Sequence, residues 1–296
     1  MRNPIFYRIS QLVGFLLGAR IFVAVLLTFA LYVSTFFLFN QEESLRDFVF
    51  DFKVHGIIFC TVLSILAGGI INQFYDREKD QLTKPFRSKI QSFLKQKYFL
   101  YAYLVLVLIS LGTAFLISPR VFLFFLVYQF FMWFYSHKLS KILIINNLTF
   151  VSLTLYPFFG MMVYYHTFFG KVFLMAIFLF IILLIIDIVK DILTKNADKI
   201  FGYTTIPNYF GTRQTKNVVI ILSVSLLVVS MLIINRTGIH SIMHLYFAAG
   251  LFVIILAVYF LLSSLKKSNF FVLNILRIWV FVGIIAMLLD GIIKRF

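Results

Sequence analysis

Asn72, Asp76 and Asp80 recur every four residues at the end of a long apolar run, and Arg77, Lys79, Lys84 and Arg87 stand among or just beyond them. On a helix this spacing stacks three hard oxygen donors along one face at a membrane edge, where a carboxylate is costly unless it is used. Magnesium takes such donors and carries phosphates with it, so the segment suits a magnesium-held diphosphate. Read alone, it is equally a solvated helix end whose charges stop a span. A second cluster weighs against that reading. Asp187, Asp191 and Asp198, with Lys190, Lys195 and Asn196 among them, leave another apolar run in the same manner. Of the eleven Asp and Glu, Asp76, Glu78 and Asp80 fall in the first cluster and these three in the second. Glu42, Glu43, Asp47 and Asp51 share one loop, and Asp290 stands alone.

The elements that must position these clusters are set by hydropathy. The chain has 296 residues, 62% hydrophobic and 13% charged, which makes it an integral membrane protein rather than a soluble domain with a large core. Its net charge of +16 collects in loops between apolar runs, as membrane topology requires, so nucleic-acid binding is not expected. The single cysteine, Cys60, lies inside an apolar run and excludes an intramolecular disulfide and a cysteine metal site. The first apolar run is too long for a signal-peptide core and reads as a retained span.

A span needs roughly 20 mostly apolar residues. Nine are expected, at about 11–38, 54–75, 98–117, 120–136, 143–165, 170–193, 216–235, 242–264 and 270–293. The expected fold is therefore an all-α integral membrane bundle of nine helices around a central cavity, a single domain over 1–296. With the N-terminus inside, the inner segments carry eighteen of the 27 Lys and Arg and the outer ones seven, which puts both acidic clusters on the cytoplasmic side. Each cluster is expected at a helix exit, followed by a loop of about 20 residues, and long loops in compact bundles are usually functional. The 39 Phe read chiefly as lipid-facing and packing residues.

Two carboxylate clusters holding magnesium would neutralise charge on a diphosphate leaving group as a carbon–oxygen bond breaks, with Lys and Arg sharing the load. An allylic cation formed from a long isoprenoid would need a water-poor, aromatic-rich pocket, which membrane burial provides.

The residues resemble a family. Gly68-Gly69-Ile70-Ile71-Asn72 through Asp76, Asp80 and Lys84-Pro85-Phe86-Arg87 is similar to the first signature of the UbiA-type intramembrane prenyltransferases, N-x-x-x-D-x-x-x-D running into K-P-x-R. Asp187 through Lys190, Asp191, Thr194 and Asp198, followed by Gly202, Thr205-Ile206-Pro207 and Gly211, resembles the second. Tyr135 to Lys141 and Asn147 are similar to the connection between them. The resemblance implies that Asp76, Asp80, Asp191 and Asp198 hold Mg2+, with Asn72 helping and Asp187 in an acidic position found in part of the family. Asp76 and Asp191 are its catalytic candidates. Asn72, Lys84, Arg87, Tyr135, Lys138 and Lys190 are its candidates for contact with a polyprenyl diphosphate, and the second substrate is a hydrophobic acceptor: aromatic, quinone precursor or lipid. Three departures stand out: Thr194 replaces the usual aspartate, Ser140 a basic residue, and Ser88 a proline. Thr194 motivates an alternative, a diverged terpene cyclase or diphosphate hydrolase. A transporter or lipid-binding scaffold is the alternative outside enzymes, and it predicts broken helices with charges at mid-membrane rather than at helix exits. A bacterial inner membrane is the expected setting. The histidines have no zinc-ligand spacing; Arg20 and Arg277 lie within expected spans, and Asp290 is one turn from Lys294.

Overall fold

The computed structural model describes residues 4–40, 44–263, 265 and 267–295, and among them every regular element is helical. Glu42 and Glu43 lie outside the described residues. The chain divides into two compact units, one of Met1–Tyr32 with Glu42–Ser140 and one of Val33–Gln41 with Lys141–Phe296.

In the first unit α1 (Pro4–Gly18), α2 (Ile21–Ser34, whose last two residues belong to the second unit), α3 (Leu45–Phe50), α4 (Phe52–Thr83), α5 (Pro85–Gln91), α6 (Gln96–Ile117) and α7 (Pro119–His137) follow in order. Part of the acidic loop is capping: Ser44 starts α3, and the Asp51 carboxylate accepts from Lys53 N at 3.0 Å and Val54 N at 3.2 Å to start α4. Helix α4 packs against α6 and α7. Their seam is polar and buried. Gln129 Nε2 donates to Ser64 Oγ at 3.0 Å, Ser64 and Ser110 share a hydroxyl bond at 3.2 Å, and Ser110 Oγ donates to Cys60 O at 3.1 Å. In lipid such bonds hold helices together where the hydrophobic effect does not. Gly68 and Gly69 admit close neighbours on α4: a Cβ on Gly69 would stand 2.8 Å from Ala19 O, in the turn between α1 and α2.

In the second unit a π-helical turn, Thr35–Phe39, continues α2 and is followed by α8 (Ile145–Tyr164), α9 (Gly170–Ile200), α10 (Ile206–Tyr209), α11 (Gly211–Ile234), α12 (Ile242–Leu262) and α13 (Ser268–Arg295). Helix α9 packs against α8, α11 and α13. Arg295 donates to Phe36 O at 2.7 Å and Asn40 O at 2.9 Å, satisfying carbonyls at the π turn. Asp290 pairs with Lys294 at 2.6 Å as the spacing implied, and also accepts from Ser241.

Three expectations need correction. Eight helices among the described residues, not nine, are long and apolar enough to cross a membrane, which makes this an integral membrane protein. The one that falls short is α7, the expected span at 120–136, because Arg120, Gln129 and the tyrosines at 128 and 135 dilute an otherwise aromatic helix. The run expected as one span at 11–38 is two helices, since the chain turns at Ala19-Arg20, where Arg20 has a φ of 55°. Finally, the expected spans 54–75 and 170–193 do not end where charge begins. Helix α4 runs to Thr83 and α9 to Ile200, so the acidic residues ride on helix and the expected long loops shrink around α5 and α10. Pro85 ends α4: Lys84 before it is forced to an extended φ of −141°.

Candidate active site

The first acidic set occupies one face of the last three turns of α4. Asn72 Nδ2 donates to Asp76 Oδ2 at 2.8 Å, and the buried Asp80 pairs through Oδ1 with Lys84 Nζ at 2.8 Å. Arg87, two residues into α5, donates from Nη2 to Leu17 O at the end of α1. Burial pushes the Lys84 ammonium down from its usual value, with the Asp80 carboxylate working against that shift. Tyr75 lies edge-on to His137 of α7 at 5.4 Å, and His137 stacks on Trp133, a packing role rather than a base. Tyr135 is half-buried in the last turn of α7 and Lys138 is exposed just beyond it.

The second set is deeper. Asp187, Asp191 and Asp198 are all buried on α9. Asn147, fully buried in the first turn of α8, bridges two of them: its Nδ2 donates to Asp187 Oδ2 at 2.7 Å and to Asp191 Oδ2 at 2.8 Å. Lys190 pairs with Asp187 and lies 3.5 Å from Asp191 Oδ1, with its ammonium 5.1 Å from the centre of the Phe150 ring. Thr194 Oγ1 donates to Asp198 Oδ2 at 2.7 Å, so the departure from the aspartate pattern caps a neighbouring carboxylate. Arg277 of α13 is within electrostatic reach of Asp187.

What places Asn147 is local strain. Ile144, just before α8, has a φ of 65°, a conformation a β-branched residue avoids, and the tight turn Ile145 N to Leu143 O at 2.7 Å goes with it. That turn starts α8 abruptly enough for Asn146 and Asn147 to be buried at once. Beyond α9, Gly202 and Gly211 supply φ values of 71° and 84° around α10, and Thr204 N donates back to Lys141 O.

Among the described residues no three His, Cys, Asp or Glu side chains close on one metal-sized point. The reason is visible in each pairing: Asn72, Lys84, Asn147, Lys190 and Thr194 each engage a carboxylate. The donor chemistry nonetheless fits magnesium, being entirely oxygen. Asn147 Oδ1 is a buried acceptor with no hydrogen-bond partner among the described residues, directly beside two carboxylates. Two residues thus join the site that motif reading left without a role. Asn147 was legible only as a polar residue inside an apolar run. Arg20, at the turn that Gly69 admits, was legible only as an odd charge.

Comparison with known proteins agrees with this architecture. The sequence matches the UbiA prenyltransferase family over residues 46–281. It is 29% identical over 185 residues to digeranylgeranylglyceryl phosphate synthase of Thermococcus gammatolerans, covering 61% of this chain and 65% of that protein. It is also 29% identical over 175 residues to the Methanosphaera stadtmanae enzyme of the same name, covering 59% and 64%. The match therefore spans just under two thirds of these relatives. A solved structure of a digeranylgeranylglyceryl phosphate synthase superposes with a TM-score of 0.70 at 19% identity, covering 95% of this chain and 99% of that one. A UbiA homologue from Archaeoglobus fulgidus bound to GPP and Mg2+ gives 0.65 at 15%, covering 93% and 99%. With both signatures inside the matched region, and with the helical order of these structures, the chain belongs to the UbiA prenyltransferase family.

Proposed function

We propose that the protein transfers a prenyl group from a polyprenyl diphosphate to a lipid acceptor, releasing diphosphate. The observation that carries this reading is the buried Asp187–Asn147–Asp191 constellation, with Lys190 against it: a desolvated anionic set with a mobile internal cation. Membrane proteins place such groups where ions or phosphates bind. Asp76, Asp80, Asp187, Asp191 and Asp198, helped by Asn72, would hold the magnesium. The metal supplies charge neutralisation of the departing diphosphate. Asn147 keeps Asp187 and Asp191 parallel, which fixes the oxygen positions before any ion arrives. Lys190 and Lys84 balance the carboxylates in the free protein and become available to phosphate oxygens once those carboxylates are engaged elsewhere. Arg87, Tyr135 and Lys138 complete the proposed contacts with the diphosphate. The allylic C–O bond breaks with its electron pair on the diphosphate, the acceptor oxygen bonds to the carbon, and the acceptor's proton is released.

The chain is proposed to act as one transmembrane domain with α7 as a ninth crossing, since its 19 residues reach across hydrocarbon and its Ser118-Pro119 start makes the tight turn that two successive spans need. The excess of Lys and Arg on the segments beside both signatures supports a cytoplasmic site. The expected bacterial inner membrane stays part of the proposal, although the relatives named above are archaeal. Those relatives' name favours a glycerophosphate lipid among the possible acceptors.

The test is prenyl transfer by the full chain in detergent, with magnesium, radiolabelled allylic diphosphates of several lengths and a panel of acceptors. Wild type should give a magnesium-dependent adduct that Asp76→Ala and Asp191→Ala both lose. Diphosphate released without an adduct would shift the reading to a cyclase or hydrolase. A folded protein that binds no allylic diphosphate would overturn it.

A further inference from the structure

Arg20 is the costliest charge in the first unit. It sits at a φ of 55°, which a non-glycine residue adopts only under strain. Its turn presses against Gly69, where a Cβ would meet Ala19 O at 2.8 Å and Arg20 Cγ at 3.3 Å, so α4 has given up a side chain to receive it. Its Nε is buried and has no hydrogen-bond partner among the described residues. Nothing in the packing explains such a placement, because an alanine or glycine would turn the chain there at less cost.

The surroundings make it more costly. Leu17, three residues before Arg20, accepts from Arg87 Nη2. With its amide in the orientation that the network requires, Gln91 accepts from Arg87 Nε at 3.0 Å and from Gly18 N at 3.3 Å, tying α5 to the same turn. Lys84 is close enough that Arg20 and Arg87 both disfavour its charged form, after the larger effect of burial. Burial and Arg20 act the same way on Arg87. Against these three cations stands one buried carboxylate, Asp80, already 2.8 Å from Lys84 Nζ. Two guanidinium groups and an ammonium thus gather with a surplus of two positive charges in a partly desolvated corner, which is the composition of a phosphate site.

We infer that Arg20, Lys84 and Arg87 form an oxyanion site, assembled without metal, for a phosphate group at the α1–α2 turn. Two sources share that chemistry: the terminal phosphate of the diphosphate donor and the phosphate of a glycerophosphate acceptor. Which one it serves rests on the proposed prenyl transfer, whereas the site itself does not.

The experiment uses the full chain in detergent with EDTA, so magnesium-dependent chemistry is silent and its failure cannot be confused with failure here. Unfolding midpoints and titration calorimetry are recorded with pyrophosphate and glycerol 1-phosphate, against chloride and acetate at matched ionic strength. Wild type should show a rise in midpoint with at least one phosphate ligand and a measurable Kd. Arg20→Gln should weaken that Kd at least tenfold. Arg20→Gly separates binding from folding: freed of its φ strain it should unfold at a higher midpoint than wild type, yet respond to phosphate no more than to chloride. Response to pyrophosphate alone assigns the donor, and response to glycerol 1-phosphate assigns the acceptor. No response beyond the chloride and acetate controls in wild type, or an undiminished response in Arg20→Gly, would overturn the inference.

Discussion

Replacing Asn147 by alanine removes one side chain and leaves two buried carboxylates short of a donor. The amide nitrogen serves Asp187 at 2.7 Å and Asp191 at 2.8 Å, and no part of the residue reaches solvent. Hydrogen bonds to charged groups contribute ~1.5–3 kcal/mol each. Lys190 remains beside both carboxylates and moderates the loss, so the lower figure applies and the two bonds amount to ~3 kcal/mol. The void left by the shortened side chain adds ~1 kcal/mol. Asn147→Ala should therefore cost ~4 kcal/mol in the absence of magnesium. Its polar part can be isolated. In a background carrying Asp187→Ala and Asp191→Ala only the void remains, and the same substitution should cost ~1 kcal/mol, leaving a coupling of ~3 kcal/mol. The assay is reversible unfolding in mixed micelles with EDTA, with the four proteins measured side by side. Equal costs in the two backgrounds would refute the reasoning and make Asn147 a packing residue.

Three further outcomes follow from the geometry. Ile144→Gly should raise stability by ~0.5–1 kcal/mol, because relief of a φ of 55–65° type strain outweighs the added backbone entropy and the side chain is exposed; a lower unfolding midpoint would contradict this. Thr194→Asp removes a donor at 2.7 Å from the fully buried Asp198 and sets a like charge there, so it should cost ~2–4 kcal/mol in EDTA, with magnesium restoring most of it in a titration of the unfolding midpoint. Gly69→Ala drives a Cβ to 2.8 Å from Ala19 O and should destabilise the protein by ~1–3 kcal/mol, lowering phosphate-dependent stabilisation along with it. Gly112→Ala, where nothing stands within 4 Å, is the control and should not fall with it.

The part of the site that sequence reveals is the part written on single helices. Asp76 and Asp80, or Asp187 and Asp191, declare a shared face through their spacing alone, and hydropathy locates the runs that carry them. What it misjudged was where those runs end. Charge stops a hydropathy window at Tyr75 or Leu193, but it does not stop backbone hydrogen bonding, and nothing in either sequence breaks a helix before Lys84-Pro85 or Gly202. The break at Arg20 was hidden for the opposite reason: the residues around it are apolar, and the turn depends on a glycine 49 positions later, Gly69. Asn147 reaches Asp187 across 40 positions, a pairing that no local pattern encodes. Helix α7 was read as a span on its aromatic content, yet its Gln129 is spent on Ser64 of α4 instead of facing lipid.

The lengths of α4 and α9 have a mechanical consequence. Their 32 and 31 residues correspond to rods of about 48 and 46 Å, against a hydrocarbon layer of about 30 Å. Ligands mounted on loops would follow the water surface whatever the bilayer did. Here each acidic set is bolted to a rod whose other end is embedded, so a change in bilayer thickness tilts the rod and carries its carboxylates with it. Lipid chain length is thereby coupled to site geometry, and an enzyme that helps to make membrane lipid senses the thickness of the membrane it works in.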